Sequence, residues 1–188
     1  FKASAEMIRR KDKIKVGFVV RGAAEWCGDD LYNLFAGDAR FEPTVFDCIQ
    51  VHKANSVLYK KDFLHGAEQF KARGLNVVVL DKPNAAVPAQ DVLIFLTPYI
   101  RQLTLAFRLV NLTAKTLMTY IPYAFDSSRN YKGNNIPLLH LTWKNFLHSD
   151  IVLRYYNRLC KVGMPRGVYS GYPRMDIFFK PDTKFLLQ

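Results

Sequence analysis

The side chains with the clearest chemical potential follow two apolar runs of the chain. Pro-Tyr pairs at 98–99 and 122–123 come directly after the runs 92–96 and 117–121. Proline ends a strand, and a tyrosine placed after it offers a flat ring that can stack on a sugar or a base. Turn chemistry alone, with each ring packed on the strand that it follows, produces the same pattern. Both interpretations stay open.

The segment between these runs predicts how the two tyrosines are brought together. Four apolar residues recur there at i, i+3, i+4 and i+7, the spacing of one helix face. They are Leu103, Ala106, Phe107 and Val110. Strand, helix and strand in that order form a βαβ unit, and such units build parallel sheets. Since ligands bind outside the carboxyl ends of parallel strands, we expect Tyr99 and Tyr123 to face one cleft.

A charged candidate follows the strand-like run at 14–20. Arg21 lies where a Rossmann-type domain places its phosphate-binding loop, and its guanidinium could hold a phosphate or a carboxylate. Gly22 is the only glycine of that loop, so the GxGxxG pattern of dinucleotide sites is missing and the sequence predicts no bound cofactor. The alternative for Arg21 is an ion pair with Glu25. We count Glu25 and the adjacent Trp26 as further candidates.

Another candidate, Arg174, lies in the segment Gly-Tyr-Pro-Arg-Met-Asp at 171–176. Gly171 allows a tight turn and Pro173 stiffens it. Arg174 either contacts a ligand at the end of the last predicted strand or pairs with Asp176 to fix the turn.

The residue types give little support for metal or nucleophile chemistry. The cysteines, Cys27, Cys48 and Cys160, lack the CxxC spacing of a zinc site, and their odd number disfavours a disulfide framework. The four histidines lie in separate segments without HExxH or HxH spacing. No GxSxG elbow is present. The sequence therefore predicts no metal site and no catalytic residue within this chain, and free thiols in a reducing compartment.

Strand-like and helix-like segments alternate along most of the chain. The predicted strands are 14–20, 44–51, 76–80, 92–96, 117–121 and 167–170. Besides the helix after Tyr99, helices are predicted around 31–35, 63–70, 143–147 and 152–159. This alternation predicts an α/β fold, a Rossmann-like three-layer sandwich with a mostly parallel sheet of about six strands. We expect a lead-in segment at 1–13, one Rossmann-like domain at 14–177 and the start of a linker at 178–188.

The composition is that of a globular domain with a strong positive charge. Of 188 residues 49% are hydrophobic, the formal net charge is +11, and no apolar run approaches the roughly 20 residues of a membrane span. The charge favours phosphorylated partners or an anionic membrane surface. The bases cluster only at 9–13 and at Lys60-Lys61, and RNA-binding aromatic motifs are missing. We expect a cytoplasmic protein, peripheral at the inner face of the membrane, with no nucleic-acid partner.

The order of several motifs resembles the N-terminal half of bacterial two-domain GT-B transferases. The segments that carry the resemblance are the strand ending in Pro98-Tyr99, TYIPYAF at 119–125, GYPRMD at 171–176 and GAAEWCGDDLYNLFAGDARFEPTVF at 22–46. Among such enzymes the chain is most similar to the CDP-glycerol glycerophosphotransferase-like group, which makes teichoic acids and surface polysaccharides. The resemblance covers 14–176. In that group the second motif usually continues Tyr-Gly-Phe, where this chain has Ala124.

The resemblance implies the acceptor-side domain of a glycosyl- or glycerophosphotransferase. A C-terminal domain outside this chain would bind the nucleotide-activated donor and supply the catalytic histidines, so that this chain alone is inactive. A lipid-linked or saccharide acceptor would lie against the candidate residues, which are Arg21, Glu25, Trp26, Tyr99, Tyr123 and Arg174. The alternatives are a non-enzymatic small-ligand-binding Rossmann domain, as in a sensor or a periplasmic-binding-like lobe, and, from charge alone, a nucleic-acid-binding domain.

Overall fold

The chain folds around one parallel β-sheet. The structure is a computed structural model, and it describes residues 1–108, 112, 116–125, 136–160 and 166–179. The strands are β1 Ile14–Val20, β2 Phe41–Cys48, β3 Val77–Leu80, β4 Val92–Phe95, β5 Leu117–Tyr120, β6 Lys144–Leu147 and β7 Gly167–Tyr169. Within the described residues they form a single sheet in the order β3-β2-β1-β4-β5-β6-β7, and every pair is parallel.

Helices connect these strands. The α-helices are α1 Lys2–Arg9, α2 Asp29–Ala36, α3 Val57–Ala72, α4 Pro137–Leu141 and α5 Asp150–Leu159. Short 3₁₀ helices cover Ala23–Glu25, Val51–Lys53, Ile100–Gln102, Leu105–Phe107 and Pro173–Phe179. The predicted Rossmann-like α/β fold is therefore confirmed, with seven strands in place of about six.

Two hydrophobic cores lie on the two faces of the sheet because alternate strand residues point in opposite directions. Phe18 of β1 belongs to the core beneath α2 and α3, together with Trp26 and Phe70. Val19, the next residue of β1, belongs to the other core, which α4, α5 and the segment 103–107 cover. The near-continuous apolar sequence of β1 follows from this burial on both faces.

The local sequence explains several of these boundaries. The hydroxyl of Ser149 accepts a hydrogen bond from the N–H of Val152 at 3.2 Å and so caps α5. Gly74, directly after the last turn of α3, has a φ of +72°, the left-handed conformation that favours glycine at this position. β1 spans the predicted residues.

The helix predicted from Leu103 to Val110 is wrong where the structure describes it. Leu103 and Thr104 have extended backbones with ψ of 164° and 152°, so the chain forms two short 3₁₀ helices instead. The N–H of Leu105 donates to the carbonyl of Pro83 at 2.8 Å, a tertiary contact that replaces a helical hydrogen bond. Leu103 and Phe107 are nevertheless buried as the apolar pattern predicted. Val110 lies outside the described residues.

The helix predicted at 143–147 is also wrong, because this segment forms β6. The N–H of Trp143 donates to Met118 of β5 at 2.7 Å and the N–H of Asn145 donates to Arg166 at 3.0 Å. The side chain of Asn145 is fully buried and donates to the carbonyl of Leu139 and to the hydroxyl of Tyr156. The apolar residues of this segment fit a helical or a strand periodicity equally well. Hydrogen bonds to β5 on one side and to the segment of β7 on the other favour the strand.

The second predicted strand, 44–51, is displaced by three residues toward the C-terminus relative to β2. β2 begins at Phe41 and ends at Cys48, and Val51–Lys53 forms a 3₁₀ helix. Pro43 fits inside β2 because β3 pairs with β2 only from Val45 onward, so that no strand on that side requires an N–H from Pro43.

Candidate functional site

The strongest candidate for a functional site lies where the order of the sheet reverses. After β1 the chain adds β2 and β3 on one side, and then returns to add β4 and the later strands on the other. The loops that follow β1 and β4 therefore lie on either side of this switch point at the carboxyl edge of the sheet, which is the usual ligand position in open α/β sheets. We call this the switch crevice and define it by Arg21, Glu25, Tyr99, Gln102 and Tyr123.

A buried ion pair between Arg21 and Glu25 forms one wall of the switch crevice. Gly22, with a φ of +118°, turns the chain into the 3₁₀ helix Ala23–Glu25, which brings Glu25 back over Arg21. The Glu25 carboxylate accepts from the backbone N–H of Arg21 at 3.1 Å and from its Nε at 2.9 Å, and also pairs with Nη2. Both side chains are only about a tenth exposed, so their charges largely cancel within the site.

The loop after β4 supplies the facing wall. Gln102 accepts from Nη1 of Arg21 through its side-chain oxygen. The ring of Tyr99 lies against the same guanidinium, with 4.4 Å between the Arg21 Cζ and the ring centroid. Three of the five N–H donors of Arg21 are thus used within the protein, and the guanidinium is held flat against an aromatic ring that is 46% exposed.

Tyr123, after β5, borders the same crevice. Its N–H donates to the carbonyl of Leu96 at 3.0 Å, which ties the end of β5 to the end of β4. Burial raises the pKa of the Tyr123 phenol, and the neighbouring phenol of Tyr99 adds to this shift. The predicted convergence of the two tyrosines on one edge is therefore what the structure shows, and the Pro-Tyr pairs serve turn geometry at the same time.

A buried carboxyl group, Asp47, lies beside the crevice near the end of β2. It is fully buried, and within the described residues neither side-chain oxygen has a partner with hydrogen-bond geometry. Burial raises the pKa of Asp47 to about 7; the N–H of Gly22 opposes this shift and the charge of Glu25 adds to it. Burial raises the pKa of the Tyr59 phenol, in the first turn of α3; the charges of Asp47 and Glu25 add to this shift and that of Arg21 opposes it.

The sequence did not single out Asp47 or Gln102. An acidic residue inside the apolar run Val-Phe-Asp-Cys was a usable signal for Asp47, since an acid is rarely buried without a partner. Gln102 had no signal, because its contact with Arg21 depends on the two 3₁₀ helices that replace the predicted helix.

The other two predicted residues, Trp26 and Arg174, lie elsewhere. Trp26 is buried among Phe18 and Phe70, and its Nε1 donates to Asp29 at 2.9 Å. Arg174 donates to the carbonyls of Ala24 and Trp26 at 2.7 and 2.9 Å, and so joins the last 3₁₀ helix to the loop after β1. Both line a separate apolar groove of about 990 Å³ over one face of β4 and β5.

A second cavity, of about 760 Å³, adjoins the switch crevice at Tyr99 and Gln102. We call it the side cavity. Its described lining residues are Pro98, Tyr99, Ile100, Arg101, Gln102, Arg108, Ile136, Pro137 and Leu138. It combines an apolar floor with two exposed arginines.

Two kinds of reactive site, a cluster of metal ligands and an activated thiol at Cys27, are absent among the described residues. They contain no group of three or more His, Cys, Asp or Glu side chains placed to hold a metal ion. Burial raises the pKa of the Cys27 thiol to about 11, so this cysteine is not activated as a nucleophile at neutral pH. The switch crevice instead offers aromatic rings and a neutralised, fixed guanidinium.

Comparisons with protein-family models, with curated proteins and with solved structures find no match for this chain. The fold places the chain in the class of Rossmann-like α/β domains.

Proposed function

We propose that this domain binds a polyhydroxylated small molecule in the switch crevice, as the acceptor-side domain of a transferase of the glycosyl- or glycerophosphotransferase type. The observation that carries this proposal is the assembly of Arg21, Glu25, Gln102 and Tyr99 at the switch point. Its internal charges cancel, and its exposed surface is aromatic with polar edges. Such surfaces suit sugar-like ligands, whose rings stack while their hydroxyls hydrogen-bond.

The resemblance to the N-terminal half of GT-B transferases supports the same proposal from the sequence. In this proposal a nucleotide-activated donor is held by a second domain, and the chain alone binds the acceptor without turning over CDP- or UDP-activated donors. The acceptor is a saccharide or a lipid-linked group of cell-surface polysaccharide or teichoic-acid synthesis.

Tyr99 is the residue with which to test this function. Variants of Arg21 or Glu25 leave one buried charge without its partner and cost about 3–5 kcal/mol of stability, which confuses folding with binding. Tyr99 is 46% exposed, so Tyr99→Leu removes the stacking ring at little cost to the fold.

We expect Tyr99→Leu to weaken binding of neutral methyl glycosides by roughly 2- to 10-fold, since an aromatic contact contributes about 0.5–1.5 kcal/mol beyond its buried area. Binding is measured by ¹⁵N NMR titration, following the amides of Gly22, Tyr99 and Gln102. Tyr169→Leu is the matched control, because Tyr169 is 60% exposed at the carboxyl end of β7 and lies outside the crevice. Equal affinities of the two variants for every glycoside, or no shifts in the native chain, would reject the proposed function.

A further inference from the structure

The side cavity carries two positive charges and no acidic side chain among its described lining residues. Arg101 follows Tyr99 in the first 3₁₀ helix after β4, and Arg108 directly follows the second. Both arginines are exposed, and none of the ion pairs within the described residues involves either of them. Glu25 cancels the charge of Arg21, so the switch crevice is close to neutral, whereas the described lining of the cavity beside it carries a charge of +2.

The segment that presents these arginines is anchored by buried residues. Leu103, Thr104 and Phe107 are at most 1% exposed, and the N–H of Leu105 donates to the carbonyl of Pro83 at 2.8 Å. Buried Leu103 therefore holds the backbone that follows Arg101, and buried Phe107 holds the backbone that precedes Arg108. An anchored segment spares an incoming anion the cost of ordering the backbone that carries the two arginines.

We propose that the side cavity is a phosphate subsite, in which Arg101 and Arg108 bind a dianionic phosphoryl group of the same molecule whose hydroxylated part occupies the switch crevice. This inference rests on the proposed function for the crevice part of the ligand. Guanidinium groups bind phosphate oxygens through paired, charge-assisted hydrogen bonds, and two of them match the charge of a phosphate monoester. Tyr99 and Gln102 border both spaces, so one ligand can reach from the crevice into the cavity.

The geometry thus narrows the acceptor class to phosphorylated, hydroxylated molecules. The phosphoryl group can belong to a free metabolite or to a lipid headgroup, since both present the same oxygens. The apolar part of the cavity lining, Pro98, Ile100 and the segment 136–138, gives a lipid-linked molecule additional contact surface that a free phosphate does not use.

The test uses the full chain with two probes in ¹⁵N NMR titrations. One probe is glycerol 3-phosphate, and the other is dihexanoyl phosphatidate kept below its micelle concentration. We expect the double variant Arg101→Gln/Arg108→Gln to weaken binding of at least one probe by roughly 10-fold or more, as two charge-assisted contacts are lost. Arg9→Gln/Arg10→Gln is the matched control: it removes the same charge from the end of α1, which leads into the amino edge of the sheet.

The two probes identify the source of the phosphoryl group. Tighter binding of the phosphatidate, lost in the Arg101/Arg108 variant, supports a lipid-linked acceptor, and equal binding of both probes supports a free phosphorylated one. Equal losses in the two double variants, or no binding of either probe, would overturn the phosphate subsite. Glycoside binding that depends on Tyr99 survives that result, so failure of the subsite and failure of the proposed function are told apart.

Discussion

At the scale of single residues, burial decides which polar groups at the carboxyl edge can change charge. Arg21 and Glu25 form a buried ion pair in which each side chain offsets the charge of the other. Asp47 is buried next to them without such a partner, and its pKa rises to about 7 from an ordinary value of 3.8. The charged form of Asp47, which is populated above neutral pH, lowers the stability of the folded chain because a buried carboxylate lacks the solvation that water provides.

We expect Asp47→Asn to raise stability at pH 8 and to have little effect at pH 4. Because the folded-state pKa of Asp47 is raised, the unfolded chain loses this proton first as the pH rises. The free energy of unfolding of the native chain therefore falls between pH 3.8 and about 7, by about 1.4 kcal/mol per pH unit, and this contribution stays level above 7. Asparagine has no such slope.

Urea unfolding at a series of pH values measures this difference. Asp62→Asn on α3 is the control, since Asp62 is exposed. Parallel pH profiles for the native chain and Asp47→Asn would show that Asp47 ionises normally in the folded state.

At the scale of elements, the site depends on how tightly β1 is held between its neighbours. β1 pairs with β2 along its whole length and with β4 over four residues. At Gly17 the strand passes so close to the side chains of Phe46 and Leu93 that an added Cβ would lie 2.7 and 2.9 Å from them. A side chain here would push on β2 and β4, the two strands that flank β1.

We expect Gly17→Ala to destabilise the fold by about 1–3 kcal/mol, the usual cost of overpacking a dense core. Gly66→Ala is the matched control, because a Cβ at this position of α3 meets its nearest neighbour, Ala23, at 3.8 Å. Alanine in a helix interior is favoured over glycine by up to about 1 kcal/mol, so this variant should be more stable than the native chain. Thermal unfolding compares the two, and a neutral or stabilising Gly17→Ala would contradict the packing argument.

At the scale of the whole molecule, the charge of +11 is spread over distant surfaces. The cluster at 9–13 lies at the end of α1, at the amino edge of the sheet, and Lys11 within it pairs with Asp91 at 2.6 Å. Lys60 pairs with Asp81, which follows β3 at the opposite edge, at 3.0 Å. No helix among the described residues combines the length and the apolarity needed to cross a bilayer.

We expect α1 to be the part of this surface that adsorbs to anionic vesicles. Met7 is 41% and Phe1 44% exposed beside the bases of α1, and each base near an anionic surface contributes about 1 kcal/mol. Arg9→Gln/Arg10→Gln should reduce sedimentation with phosphatidylserine vesicles at low salt, and Lys60→Gln/Lys61→Gln should not. Equal binding to neutral and anionic vesicles, or none to either, would leave the charge with a role in solubility only.

The sequence by itself determined the layers of this protein. Long apolar runs bounded by Gly or Pro predicted β1, β4 and β5, and the amphipathic pattern predicted α3 and α5, because these signals are local and survive in any tertiary context. The position of Arg21 and of the two Pro-Tyr pairs at strand ends followed from the same patterns, since parallel strands end at one edge.

Only the tertiary structure decided what these residues touch. β6 became a strand because β5 and the segment before β7 offered hydrogen bonds to it, and the segment 103–107 left the helical conformation because Leu105 bonds to Pro83. Arg21 and Gln102 are distant in the chain and meet only in the folded protein. Asp47 likewise becomes buried only when other elements pack over the end of β2. Contacts of this kind depend on packing between elements, which single-residue patterns do not encode.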